Sequence, residues 1–190
     1  MNFLPKIKFS FFKRTKGKER VIFRESLNEK LERVQKESGW FLINKEKKEE
    51  KGPFNFIDDI CNDTIRAQGK DKNKLWFYFD KEGNQIGKEK FEEARRFTKD
   101  GIARVKKNGK WSFLTREGTY LTKEKFDYAW KFSEGMAAVK MEGKYYYIDK
   151  SGKLIGDGFD DIREFHQGKG YVKKQGKWYT LDKEGNLKEE

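Results

Sequence analysis

The chain contains very little cysteine, histidine or proline, and this restricts the chemistry that it can perform. Cys61 is the single cysteine and His166 the single histidine among 190 residues, and there are two prolines. One cysteine excludes an intramolecular disulfide and a cysteine-based metal cluster. A Ser–His–Asp or Cys–His arrangement would depend on His166, which lies in the loop-like sequence FHQG. We therefore expect no catalytic residue, no metal site and no cofactor, and predict that the protein is not an enzyme.

Long apolar runs are missing as well. No stretch approaches the roughly 18 apolar residues that a membrane-spanning helix requires. The N-terminal sequence MNFLPKIKFSFFKRTKGKER is basic, but it has neither an uninterrupted apolar stretch nor the small-residue cleavage site of a signal peptide. We expect a protein with no membrane partner that resides in the reducing cytoplasm.

Aromatic residues, in contrast, are abundant. A composition of 35% hydrophobic and 40% charged residues would by itself suggest disorder. However, 17 Phe, 8 Tyr and 5 Trp each bring a large apolar surface, so that few residues suffice for a small core. The length and composition therefore predict a single domain or short repeat array over residues 1–190.

The sequence repeats with a period of roughly 34 residues. Three segments align: ARVKKNGKWSFLTREG, AAVKMEGKYYYIDKSG and GYVKKQGKWYTLDKEG. Weaker copies lie upstream, so that the predicted aromatic anchors are Phe9, Trp40, Trp76, Trp111, Tyr145 and Trp178. A second landmark follows at Phe23, Phe56, Phe91, Phe126 and Phe159, and a third at Phe97, Phe132 and Phe165. Because one such unit cannot bury its own apolar face, neighbouring units must stack.

These segments resemble the WG-repeat family, also called KWG repeats, whose units carry a G-K-W-G-[FY]-I-D-x-x-G core followed by [FY]-D-x-A-x-x-F-x-[ED]-G. The matching stretches are GKWSFLTREG with FDYAWKFSEG, GKYYYIDKSG with FDDIREFHQG, and GKWYTLDKEG. The resemblance is strong over residues 86–190, moderate over 54–85 and weak before Trp40. Ser112, Tyr146 and Tyr179 replace the glycine after the anchor. The resemblance implies a β-repeat protein of a bacterial-leaning family that occurs in many contexts, and it implies no single activity.

Each unit is predicted to contain a β-hairpin. Asn108-Gly109 is a two-residue turn signal in which Gly109 should have a positive φ. The strand that follows is apolar on both faces and should be covered on both sides. We expect an all-β fold of tandem antiparallel β-hairpin or three-stranded repeats in a curved solenoid-like or propeller-like array. Closure into a ring is left open. Residues 26–36 have a helix capping pattern, but the repeat register favours a strand there.

Positive charge is the main surface signal in the sequence. The net charge is +12, and residues 1–24 contain eight basic residues against one acid. In this basic N-terminal arm, the apolar residues Ile7, Phe9 and Phe11 alternate with the polar residues Lys8 and Ser10. Residues 7–12 are therefore predicted to form the first anchor strand, followed by an exposed basic turn. Lysines also recur at the hairpins. The candidate binding cations are Lys13, Arg14, Lys16, Lys18, Lys106, Lys107, Lys110, Lys140, Lys144, Lys173, Lys174 and Lys177.

Two functions fit these patterns. Repeated lysines could neutralise the phosphates of RNA or DNA, or could merely keep the hairpin edges soluble, which we favour. Aromatic residues that the core does not require, among them Tyr128 and Trp130, could instead contact a protein. We expect a non-catalytic protein-binding module, acting as a scaffold, regulator or inhibitor. The alternative is a basic RNA-binding module, or a small inhibitor of a nucleic-acid-processing complex in phage defence.

Overall fold

Residues 19–189, the part of the chain that the computed structural model describes, form β-strands and turns, and contain no helix. The strands are β1 (Val21–Ser26), β2 (Leu31–Lys36), β3 (Gly39–Asn44), β4 (Glu49–Ile57), β5 (Thr64–Gly69), β6 (Trp76–Asp80), β7 (Glu93–Ala94), β8 (Ile102–Lys107), β9 (Lys110–Thr115), β10 (Tyr128–Ala129), β11 (Met136–Met141), β12 (Lys144–Asp149), β13 (Leu154–Phe159), β14 (Asp161–Ile162), β15 (Gly170–Lys174), β16 (Lys177–Leu181) and β17 (Leu187–Glu189). In this range, therefore, no helix has the length and apolar character needed to cross a membrane.

The strands form four antiparallel sheets that contain five equivalent hairpins. The first sheet has the order β1-β2-β3-β4-β5-β6, and the others have the orders β7-β8-β9, β10-β11-β12-β13 and β14-β15-β16-β17. The hairpins are β2–β3, β5–β6, β8–β9, β11–β12 and β15–β16. The second strand of each hairpin starts at, or one residue before, a predicted anchor from Trp40 to Trp178. The predicted all-β fold of tandem antiparallel repeats is confirmed. The anchor predicted at Phe9 lies outside the described residues.

The hairpin turns have the geometry that their glycines predict. Asn108 and Gly109, between the paired Lys107 and Lys110, have φ angles of 52° and 72°. Two successive positive φ angles define a type I′ turn, whose twist matches that of the flanking strands. The turns at residues 142–143 and 175–176 also have two successive positive φ angles. The prediction for Gly109 is confirmed.

Residues 31–36 form β2, which confirms the strand and excludes the short helix. The side chain of Asn28 accepts hydrogen bonds from the backbone N–H groups of Lys30 (2.8 Å) and Leu31 (2.7 Å). This turn leads the chain directly from β1 into β2. Leu31 and Val34 then point to opposite faces of the strand, and both are fully buried.

Each central hairpin is buried between the unit before it and the unit after it. Val105 on β8 packs in one cluster with Tyr78 from the preceding unit and with Phe97, which lies between β7 and β8. Phe113, on the other face of the same hairpin, packs with Phe126 from the following unit. The strand that is apolar on both faces is thus covered on both sides, as predicted. Stacking of units supplies the core that no single unit has.

The third aromatic landmark forms the recurring contact between units. It packs against the residue two places after each anchor, with ring-centroid distances of 4.8, 4.9 and 5.4 Å for Phe97–Tyr78, Phe132–Phe113 and Phe165–Tyr147. Such aromatic pairs add to the free energy that burial of their area provides. In the first hairpin, the residue two places after the anchor is Leu42, and it lies in a hydrophobic cluster against which Ile60 packs.

The second aromatic landmark is correct at three of its five positions, since Phe23 and Phe56 instead lie at another strand position, where each pairs with a glutamine. Phe91, Phe126 and Phe159 pair with their anchors and are buried. The residue that pairs with Trp40, however, is Phe54 rather than Phe56. The register shifts between Phe54 and Phe56, which is a β-bulge that counting residues along the sequence does not reveal. The sequence contains two Asp-Asp pairs, Asp58-Asp59 and Asp160-Asp161. They do not occupy equivalent places in their units, because Asp161 is the equivalent of Phe56.

Within residues 19–189, the first and the last strand of the array are both edge strands of their sheets. β1 pairs only with β2, and β17 pairs only with β16. Hydrogen bonding between the first and last strands therefore does not close the described part of the array into a ring. The strand predicted at residues 7–12, which would extend the sheet beyond β1, lies outside the described residues.

Candidate functional site

The hairpin lysines lie at the turn edges, and most of them are paired with acids. Six of the predicted binding lysines have a carboxylate oxygen within 3.3 Å: Lys106, Lys107, Lys110, Lys144, Lys174 and Lys177. Their acidic partners are Glu93, Glu89, Asp127, Asp160, Asp157 and Glu189 respectively. Because these charges are already neutralised locally, they contribute less to the attraction of an anionic polymer.

Two of these acids accept one hydrogen bond from the lysine beside a hairpin turn and another from a backbone N–H in the next hairpin turn along the chain. Asp127 accepts hydrogen bonds from Lys110 and from the backbone N–H of Glu142, the latter at 3.0 Å. Asp160 repeats the arrangement with Lys144 (2.6 Å) and the N–H of Gln175 (2.9 Å). The hydrogen bond from the lysine is the main cause that lowers the pKa of each carboxyl. These ion pairs link one turn to another.

The other predicted cations have different surroundings. Lys140 lies with its ammonium 5.0 Å from the centre of the Tyr145 ring. Lys173 on β15 lies opposite Asp161 on the neighbouring strand β14. The basic-arm candidates Lys13, Arg14, Lys16 and Lys18 lie outside the described residues, so their proposed role stays a prediction.

Five equivalent residues form a row along the first strand of each unit. Each pairs with the residue that itself pairs with an anchor, and the outer row, as we call it, comprises Phe23, Phe56, Glu93, Tyr128 and Asp161. The three aromatic members are 39%, 43% and 44% exposed. The exposed aromatic side chains of the described chain are thus concentrated in one structural position, with Trp130, 38% exposed, two residues after Tyr128.

Tyr128 and Trp130 belong to a continuous run of rings across two units. The aromatic patch consists of Trp111, Tyr128, Trp130 and Tyr145, with successive centroid distances of 5.9, 4.4 and 6.2 Å. Tyr128 and Trp130 were predicted from the sequence as binding residues, and the structure brings them together on the surface. Tyr146 and Tyr179, which follow their anchors, are only partly exposed.

A recurring arginine joins one unit to the next beneath this surface. Arg33, Arg66 and Arg104 occupy equivalent strand positions, and each donates a guanidinium hydrogen bond to a backbone oxygen of the following unit. The acceptors are the carbonyl oxygens of Ile57, Ala94 and Ala129, at 3.0, 2.6 and 2.7 Å. Our sequence reasoning missed these residues, although each directly precedes an apolar residue in the first strand of its hairpin.

The titratable residues with which enzymes commonly work are scattered. In residues 19–189, no group of three or more His, Cys, Asp or Glu side chains is arranged to hold a metal ion. The His166 side chain is 72% exposed, and its Nδ1 is 3.9 Å from Glu134 Oε1. Glu134 instead accepts hydrogen bonds from the N–H groups of Gln167 (2.9 Å) and Gly168 (2.7 Å), which joins two successive loops.

Sequence comparison matches the WG containing repeat at residues 76–111, 114–145 and 147–178. These three tandem matches cover just over half of the chain and follow the hairpins described above. The chain belongs to the WG containing repeat family. The first two hairpins of this WG-repeat protein lie largely before the matched segments, yet their strand pairing follows the same scheme.

Solved structures similar to this WG-repeat protein are remote. One is KlHsv2 with loop 6CD replaced by a Gly-Ser linker, with 12% identity, a TM-score of 0.44, and coverage of 90% of this chain and 65% of that one. Hsv2p of Kluyveromyces lactis gives 13%, 0.42, 88% and 62%, and a eukaryotic initiation factor gives 12%, 0.42, 93% and 56%. The chain thus spans less than two thirds of each. No curated protein shows significant sequence similarity to it.

Proposed function

We propose that this WG-repeat protein is a non-catalytic module that binds a protein partner through its exposed aromatic residues. The observation that carries the proposal is the contact between two exposed rings, Tyr128 and Trp130, whose centroids lie 4.4 Å apart. Single exposed apolar residues are ordinary on protein surfaces, whereas a contiguous group marks an interaction site. Trp and Tyr are also enriched among the residues that contribute most to protein–protein affinity.

The state of the hairpin lysines also supports a protein partner over a nucleic acid. A groove for RNA or DNA attracts phosphates with cations that are free to displace counterions. Here six of the eight predicted hairpin lysines already have a carboxylate close by. The nucleic-acid alternative retains support from the net charge of +12 and from the basic residues of the N-terminal arm.

A capture experiment tests the proposal. The tagged protein, the Tyr128→Ala/Trp130→Ala variant and the Leu187→Ser control are each incubated with nuclease-treated native lysate. Leu187 is 40% exposed, similar to the two aromatics, but lies on the terminal strand β17. We expect the wild type and the control to retain a protein that the double variant loses, while all three unfold at similar urea concentrations. Equal capture by the double variant, or capture only before nuclease treatment, would overturn the proposal.

A further inference from the structure

The aromatic patch carries more positive charge than its neighbours neutralise. Around Trp111, the guanidinium carbons of Arg95 and Arg104 and the ammonium of Lys106 lie 5.9, 5.8 and 5.9 Å from the ring centre. Glu93 is shared between two of these cations, at 3.2 Å from Arg95 and 3.3 Å from Lys106. One carboxylate therefore serves two cations here.

Two further cations of the patch have no carboxylate within 4 Å among the ion pairs of residues 19–189. Arg104 donates to the carbonyl oxygen of Ala129, and Lys140 lies over the ring of Tyr145. Burial, followed by repulsion from Arg95, lowers the pKa of Arg104, and the weaker attraction of Glu93 does not offset this. Asp127, which precedes Tyr128, also acts on Lys140 and is hydrogen-bonded to Lys110. Five cations therefore face two carboxylates, which gives the patch a positive excess that a docked anion would offset.

The rings of the patch are tilted against each other. Tyr128 and Trp130 meet at 65°, Trp111 and Tyr128 at 60°, and Trp130 and Tyr145 at 48°. A platform for successive nucleobases needs flat ring faces that are open to stacking. The tilted rings here present edges as well as faces, and an apolar side chain of a polypeptide can pack against either.

We propose that the aromatic patch binds an acidic segment of a protein partner. An apolar side chain of that segment packs against the exposed surfaces of Tyr128 and Trp130, while its carboxylates approach Arg95 and Lys140. This inference rests on the proposed protein-binding function and specifies the chemistry of the partner. The Arg95 side chain is 56% exposed, so a carboxylate can reach it without displacing the fold.

Three probes of similar length separate the candidate ligands. A fluorescein-labelled 12-residue peptide of alternating Glu and Leu is titrated with the protein by fluorescence anisotropy. The same peptide with Gln in place of Glu measures the contribution of the carboxylates, and a labelled 12-nucleotide oligouridylate represents a nucleic acid. We expect saturable binding of the Glu–Leu peptide at low ionic strength, and binding of the other two that is at least about tenfold weaker.

Variants locate the binding to the patch. Trp130→Ala should weaken binding of the Glu–Leu peptide about tenfold, the loss typical of an aromatic residue at the centre of an interface. Arg95→Gln and Lys140→Gln should each weaken it about threefold, in line with exposed charge contacts. The matched control is Lys177→Gln, which removes the same charge from a lysine that Glu189 already holds at 2.6 Å. Its affinity should remain that of the wild type.

The outcomes distinguish this inference from the proposed function. Equal binding of the Glu–Leu and Gln–Leu peptides, or equal losses in Lys177→Gln and Lys140→Gln, would overturn the acidic segment. If a protein is still captured through Tyr128 and Trp130, the proposed function stands without it. Tighter binding of the oligouridylate than of either peptide would overturn both.

Discussion

Asp58 provides the sharpest test of how the units are joined. Its buried carboxylate accepts hydrogen bonds from Arg66 Nε (3.0 Å) and Nη2 (2.6 Å), and from Arg96 Nε (3.0 Å) and Nη2 (2.5 Å). Arg66 lies on β5 and also bonds the carbonyl oxygen of Ala94, whereas Arg96 follows β7. Asp58→Asn keeps the shape of the side chain but removes the charge that both guanidinium groups share.

The expected cost follows from the burial of the three side chains. Removing one partner of a fully buried ion pair costs about 3–5 kcal/mol. Here Asp58 and Arg66 are 7% and 18% exposed, but Arg96 is 49% exposed and can return to water. An exposed pair contributes only about 0–1 kcal/mol. We therefore expect Asp58→Asn to lower the free energy of unfolding at pH 7 by about 2–4 kcal/mol.

The dependence on pH has a definite sign. Burial raises the pKa of the Asp58 carboxyl, but the hydrogen bonds from Arg96 and Arg66 outweigh it, and the pKa is lowered from its ordinary value near 3.8. A carboxyl with a lowered pKa in the folded state stabilises the protein above its unfolded pKa. That stabilisation disappears as the pH falls through the folded pKa. The difference between wild type and Asp58→Asn should therefore shrink on acidification below about pH 4.

Urea denaturation at pH 7, 5, 4 and 3 measures both effects. The control is Asp59→Asn, because Asp59 is 67% exposed and its ion pair with Arg33 at 2.9 Å should contribute no more than about 1 kcal/mol. The reasoning is refuted if Asp58→Asn and Asp59→Asn unfold at the same urea concentration at pH 7. A gap between wild type and Asp58→Asn that is constant from pH 7 to 3 would contradict the assigned charge.

Three further predictions concern the core, the turns and the arm. Trp111→Ala should cost about 3–5 kcal/mol in urea denaturation, since the side chain is only 4% exposed, and an unchanged midpoint would contradict its role as an anchor. Gly109→Val should cost about 1–2 kcal/mol through its positive φ alone, as a Cβ there meets no atom within 4 Å. Gly118→Val should cost more, because its Cβ would lie 2.6 Å from the backbone of Gly87, and equal midpoints for the two glycine variants would argue against this difference. Finally, replacing Lys13, Arg14, Lys16 and Lys18 of the arm with Gln should weaken binding to an anionic partner without unfolding the protein. The loss of affinity should be largest at low salt, where charges are least screened. Unchanged affinity would leave the arm as a solubilising segment.

The fold was largely accessible from the sequence because its signals are local and repeated. The Asn108-Gly109 turn and the anchor at Trp111 recur in later units, so that each copy supports the register of the others. The register beside Phe56 could not be predicted in this way, because the extra residue of a β-bulge shifts the spacing without changing the pattern of aromatic residues. The sequence placed the second landmark at Phe56, which is exposed, whereas the buried residue that pairs with Trp40 is Phe54.

The candidate site could be predicted only in part. Tyr128 and Trp130 stood out because the core of a unit does not require them. Their grouping with Trp111 and Tyr145, in contrast, depends on which strands lie side by side.

By itself, the sequence determined the repeat, the hairpin turns and the strand type of each unit, since these depend on neighbouring residues and on backbone preferences. Only the tertiary structure decided which charges meet. Lys144 and Asp160 are 16 residues apart and Asp58 and Arg96 are 38 apart, and strand pairing or stacking of units brings them together. Composition shows an excess of lysine, but an electrostatic interaction depends on distance, and distance is set by the fold.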